Sequence, residues 1–190
     1  MKRQTKWVLF LGIVLPFSPL AFAGSTTIDF EEYPEYTQIT NQYAAQFVTF
    51  DNALQLVAPY YDYIDLPSHS GSGVITNDPN DPITVYFLGP VYGVTGWYAD
   101  PDGVTVTAYN SVGGVLDTFA GAAVDGSDLE FSVASGSSIA SVTISDDFGS
   151  PDSEIVDDLN YTVAPEPGSF VLLGTGLLGL AGALRRKLAR

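Results

Sequence analysis

Lysine and arginine are confined to the two ends of this chain: Lys2, Arg3 and Lys6 at the start, and Arg185, Arg186, Lys187 and Arg190 at the finish. Between Gly24 and Ala183 there is neither, while all 22 acidic residues fall between Asp29 and Glu166. A segment without ammonium or guanidinium groups leaves its carboxylates' mutual repulsion unrelieved, so alternating apolar residues and hydrogen bonds must hold it together. Basic residues beside apolar runs mark where a chain meets membrane machinery, so the ends read as addresses and the middle as cargo.

The N-terminus has the three parts of a secretory signal peptide spanning residues 1–23. Its basic residues precede the apolar run Trp7 to Leu15, and Ala21-Phe22-Ala23 supplies small residues before a cleavage point after Ala23. An apolar run of about nine residues is too short to cross a bilayer, and this spacing is what signal peptidase accepts. At the other end, Pro165-Glu166-Pro167 is followed by the uncharged stretch 168–184 and then by Arg185-Arg186-Lys187. About 17 residues rising about 1.5 Å each reach roughly 25 Å, enough for a transmembrane helix across a thin bilayer. The basic cluster behind it acts as a membrane stop on the cytoplasmic side and leaves the acidic cargo outside the cytoplasm.

The sequence Val163-Ala164-Pro165-Glu166-Pro167, the Leu/Gly-rich span and the Arg cluster together closely resemble the PEP-CTERM sorting signal of Gram-negative bacteria, covering residues 164–190 and little else. The resemblance implies processing at Pro165, Glu166 and Pro167 by an exosortase, a membrane-embedded transpeptidase-like enzyme, after transit of the inner membrane. Delivery to the outer envelope or the extracellular space would follow. It also implies an association with bacteria that make exopolysaccharide, and says nothing about what the cargo does.

Removing both signals leaves about 140 residues, the size of one domain with a real core. From Gly24 to Pro167 the side chains carry 22 negative charges and no Lys or Arg. Such a surface repels nucleic acid and anionic headgroups and attracts divalent cations. Cysteine is absent, which excludes disulfides, and one histidine is too few for the usual zinc sites. No cation is available to clamp a phosphate, so phosphoryl transfer by protein side chains is excluded as well.

Period-two runs recur across residues 24–163: 27–30, 46–50, 83–87, 104–109, 115–119, 129–133, 139–145 and 159–163. Turn sequences such as Pro101-Asp102-Gly103 and Asp125-Gly126-Ser127 separate some of them. No convincing helical period appears, so the fold class is all-β, a jelly-roll-like antiparallel β-sandwich. Val104, Val106 and Ala108 should face the core and Thr105 and Thr107 the solvent. Gln55 to Asn80 reads as a long loop. The passages Asp29-Phe30-Glu31, Ile39 to Tyr43 with Val48-Thr49-Phe50, and Val94 to Tyr109 resemble the carbohydrate-binding-module type of sandwich. That resemblance implies a bound calcium and a sugar-contacting surface.

Catalysis finds no support: His69 is the only histidine and sits in Ser68-His69-Ser70-Gly71-Ser72-Gly73, which reads as a flexible polar loop rather than a strained nucleophile elbow. For Ca2+, a hard cation that wants oxygen ligands, the candidates are Asp29 and Glu31 after the first strand with Asp157 and Asp158 in the last. Terminal strands of a sandwich often pair and would bring the four together. Asp100-Pro101-Asp102-Gly103 and Asp78 to Pro82 are lesser candidates and read equally as turns. For sugar stacking the candidates are Tyr60, Tyr61 and Tyr63, while Trp97 reads as core. The chain therefore reads as an exported, non-enzymatic surface or matrix protein with a polysaccharide-associated binding or structural role. A secreted polysaccharide-active enzyme and a membrane-anchored adhesin are the alternatives.

Overall fold

A computed structural model describes residues 24–57, 67–77, 81–124, 126–146 and 155–163, with Thr175, Gly176 and Gly179 of the tail. The signal peptide with Ala23, the tyrosines Tyr60, Tyr61 and Tyr63, the Pro165-Glu166-Pro167 element and the Arg185-Arg186-Lys187 cluster lie outside the described residues. So does all of the 168–184 stretch except Thr175, Gly176 and Gly179. The cargo falls in one compact unit running from Phe22 to Pro165. Among the described residues no helix is long and apolar enough to cross a membrane.

Alternation becomes strand almost throughout: β1 (Gly24–Ile28), β2 (Gln38–Ile39), β3 (Val48–Asp51), β4 (Ala53–Val57), β5 (Gly73–Asn77), β6 (Ile83–Ala99), β7 (Val104–Tyr109), β8 (Val115–Ala120), β9 (Leu129–Asp146) and β10 (Ile155–Val163). All their pairings are antiparallel. Two layers arise because β6 and β9 change partners along their length. In its first half β6 sets Val85 opposite Phe50 of β3 and Val142 of β9. In its second half Val94 lies opposite Tyr161 of β10 and Val133 of β9. The switch falls at Gly89-Pro90, where the pairing of β6 with β9 jumps from Tyr86 to Val91. Proline donates no N–H and is tolerated in a strand only where the ladder is already interrupted.

One layer is thus β3, β6, β9, β7 and β8, and the other is β2, β4, β5, β10, β6 and β9, with β1 paired to β10. Between them lies a single large core. Val104, Val106 and Ala108 are buried while Thr105 and Thr107 are half-exposed, as the alternation dictates. From the facing layer come Val94, Phe131, Val133 and Tyr161, all in the same cluster. Burying such side chains contributes roughly 1.5–3 kcal/mol each, the main force available to a segment without Lys or Arg.

Two expectations change. The run 83–87 continues as one strand to Ala99, and the runs 129–133 and 139–145 belong to one strand, because register shifts bend these strands between layers without ending them. The supposed long loop from Gln55 to Asn80 holds paired strand at both ends, with Gln55 opposite Ile75 and Leu56 opposite Val74. β5 escaped notice because all five of its residues are buried, so Gly-Val-Ile-Thr-Asn shows no alternation.

Candidate functional site

β1 pairs with β10 so that Ile28 lies opposite Leu159, which carries the residues just beyond them, Asp29 and Asp158, to the same sheet edge. The four acidic residues expected to meet are each engaged by amide or hydroxyl donors. What three of them hold is the segment Ser68–Gly73. Glu31 Oε1 accepts the N–H groups of Ser72 at 2.7 Å and Gly73 at 2.5 Å, and Ser72 Oγ donates to its other oxygen at 3.3 Å. Asp157 Oδ2 accepts Ser70 N–H at 2.9 Å, and Asp158 Oδ1 accepts Ser70 Oγ–H at 3.0 Å. Asp29 takes the more local role of accepting Glu31 N–H at 3.4 Å.

Consecutive strand residues ordinarily point to opposite faces, yet Asp157 and Asp158 reach the same serine. A register shift between Asp157 and Asn160 explains this, with Asp158 in the left-handed region at φ 45°. The bulge turns two adjacent carboxylates onto one target. On the receiving side, Gly71 has φ +48°, and a Cβ there would overlap the Glu31 carboxylate. A Cβ on Gly73 would overlap the carbonyl of Phe30. The Ser-Gly repeat therefore serves close approach of backbone to carboxylate, and its reading as a flexible loop is corrected: five hydrogen-bonded donors hold it in place.

These carboxylates face amide and hydroxyl hydrogens, whereas calcium takes a cage of bare oxygens. Among the described residues no three His, Asp or Glu side chains form a group that could hold a metal ion. Asp29, Glu31, Asp157 and Asp158 in this arrangement do not fit Ca2+. Asp100 is likewise committed to a turn, its Oδ1 accepting the N–H of Asp102 at 2.6 Å and of Gly103 at 2.9 Å. Burial pushes the carboxyls of both Asp100 and Asp157 above the usual range, Asp157 to about 6. For Asp157 the loss of hydration outweighs the N–H groups of Ser70 and Asp158 that favour its charged form.

The pinned segment also delivers His69 to Trp97. The two rings lie parallel, with centroids 3.6 Å apart and planes 5° from each other. His69 Nδ1 is 2.5 Å from Asp128 Oδ2, so the imidazole is held by a stack and a latch together. Trp97 stands on the outer face of β6, half-buried, between buried Gly96 and Tyr98. Its cross-strand neighbours are Asp157 of β10 and Glu130 of β9. The expectation of Trp97 as core is corrected accordingly: alternation with Tyr98, which is 1% exposed, places it outward. That alternation was the available signal, whereas nothing in the sequence joins His69 to Asp128 across 59 positions.

At the chain's end, residues 163–187 match the PEP-CTERM protein-sorting motif. The tail is a PEP-CTERM sorting signal. It marks the protein for export, membrane transit and sorting toward the cell envelope. A comparison with curated proteins gives no match. Among solved structures, the K2 cleaved adhesin domain of Lys-gingipain is similar at 14% identity and a TM-score of 0.51, covering 74% of this chain and 100% of that domain. Further similar folds are a mutant of the family 29 carbohydrate-binding module CBM29-2 and a family 35 module from Clostridium thermocellum. The first has 10% identity, a TM-score of 0.44 and coverage of 73% and 91%. The second has 14% identity, a TM-score of 0.40 and coverage of 75% and 100%. The cargo in front of the PEP-CTERM signal thus has a β-sandwich fold like that of the adhesin domain.

Proposed function

We propose that this PEP-CTERM protein is a non-catalytic carbohydrate-binding protein of the bacterial surface or extracellular matrix, released from its membrane tail by an exosortase and associated with exopolysaccharide. The observation that carries the reading is the sorting motif at residues 163–187 directly behind a sandwich that presents an aromatic ring among carboxylates. Aromatic faces stack on pyranose rings and carboxylates accept sugar hydroxyls, so the outer face around Trp97 has the chemistry that sugar recognition needs. A binding role also agrees with acids that are engaged as hydrogen-bond acceptors, where glycosidic cleavage requires two carboxyl groups opposed across a cleft.

Two measurements test it. Replacing Glu166 by Gln, or deleting residues 185–190, should trap the precursor and raise the mass of the recovered protein. An altered chain that reaches the same compartment with the same mature mass overturns the sorting half. The full-length protein should bind at least one polysaccharide in a panel of neutral and acidic chains without shortening it. Retention of none, or hydrolysis of any, overturns the binding half.

A further inference from the structure

The imidazole of His69 offers Trp97 what a sugar ring would offer: a flat face at 3.6 Å and a polar hydrogen for the neighbouring carboxylate of Asp128. We infer that Trp97, Asp128 and Glu130 form a pyranose-binding site for a neutral glycan, occupied in its closed state by the chain's own His69. This rests on the carbohydrate-binding reading above and gives it a location, a charge preference and a gate. Trp97 and Glu130 lie directly opposite each other on β6 and β9, and Asp128 immediately precedes β9. When the imidazole leaves, one stacking face and one carboxylate oxygen become available in the same movement.

The gate is a side-chain rotation and needs no opening of the loop. Ser70 is held by Asp157 and Asp158, and Ser72 and Gly73 by Glu31, so the backbone beyond His69 is fixed while the side chain retains solvent contact at 32% exposure. Neutrality of the ligand follows from the surroundings. Among the described residues, Glu130 and Asp157 lie opposite Trp97 and Asp128 holds its stacked imidazole, and the segment from Gly24 to Ala183 has no Lys or Arg to pair with a uronate or sulfate. An anionic sugar would meet repulsion from these carboxylates and no compensating cation. An internal competitor lowers apparent affinity by the fraction of time it leaves the site open, so a ring covered about nine-tenths of the time weakens binding about tenfold.

Trp7 and Trp97 are the two tryptophans of the chain, so a Trp7→Phe background makes Trp97 the sole indole reporter in the full-length protein. Without any sugar, His69→Ala and His69→Gln should both raise quenching of Trp97 emission by acrylamide while the melting transition stays cooperative. Unchanged quenching in both overturns the gate, whatever the protein binds. With cellohexaose and mannohexaose as probes, both variants should bind about tenfold more tightly than the parent, and Trp97→Ala should lose binding. Glycan binding that survives Trp97→Ala overturns this site while leaving the carbohydrate-binding reading intact. Failure of the parent and both His69 variants to bind any member of the wider polysaccharide panel removes that reading as well. Preference for an oligouronate over the neutral hexasaccharides overturns the neutral specificity.

Discussion

Asp157 is 2% exposed and ionised at neutral pH against the cost of burial, with its carboxyl pushed up to about 6 from an ordinary 3.8. Between those two values the folded domain holds a proton that the unfolded chain releases, so the contribution of this group to stability falls as pH rises through the window from about 4 to about 6. The slope is at most about 1.4 kcal/mol per pH unit. Asp157→Asn removes it. The melting temperature of the variant minus that of the parent should therefore be more favourable at pH 7.5 than at pH 4, measured by circular dichroism at fixed ionic strength. A difference independent of pH, or of opposite sign, rules out burial of the charged carboxylate as the main cause. Asp100 differs in kind: its Oδ1 is doubly bonded to the turn while its Oδ2 is buried without a partner. Asp100→Asn keeps the turn acceptor and removes the buried charge, so it should cost far less stability at neutral pH than Asp100→Ala, which loses the turn at about 1–3 kcal/mol. Equal melting losses in the two variants would contradict that division.

At the scale of elements, the bends of Ser68–Gly73 are held by carboxylates in place of a partner backbone. Glu31→Ala should lower stability by about 1–2 kcal/mol, the value of charge-assisted hydrogen bonds at a site open to water on one side. Gly71→Ala should do at least as much, since it meets both the left-handed conformation at φ +48° and the Glu31 carboxylate. A double variant that loses markedly less than the sum of the two would show that they disable the same clamp; full additivity would show that they do not. What the sequence allowed one to read follows the same physics. The strands with one buried face, such as Val104 to Tyr109, announced themselves by alternation, and the pairing of the terminal strands β1 and β10 was anticipated. β5 was silent because both its faces are buried. The grip of Glu31, Asp157 and Asp158 on the Ser-Gly segment was equally silent, because no residue type marks Asp158 as the site of a bulge, and a carboxylate written in sequence does not say whether a cation or an amide will meet it.

The whole molecule folds against its own charge. All but Glu166 of the 22 acidic residues lie in the sandwich segment, and its only cationic side chain, when protonated, is His69, paired with Asp128. Apolar burial must exceed that self-repulsion, and any ion that gathers around the folded form relieves it. Two kinds of relief are separable. A diffuse atmosphere depends on ionic strength alone, whereas a bound calcium adds RT ln(1 + [L]/Kd), about 2.7 kcal/mol at a hundredfold excess over Kd. The candidate acids give their oxygens to Ser70, Ser72 and Gly73, and no group of three acids that could hold a metal occurs among the described residues. The expected outcome is therefore that sodium chloride raises the melting temperature and that calcium chloride at matched ionic strength raises it by the same amount. A calcium-specific excess that Asp157→Asn or Asp158→Asn abolishes would mean that these carboxylates exchange the Ser-Gly segment for a cation, and that the pinned loop is one of two states of the same edge.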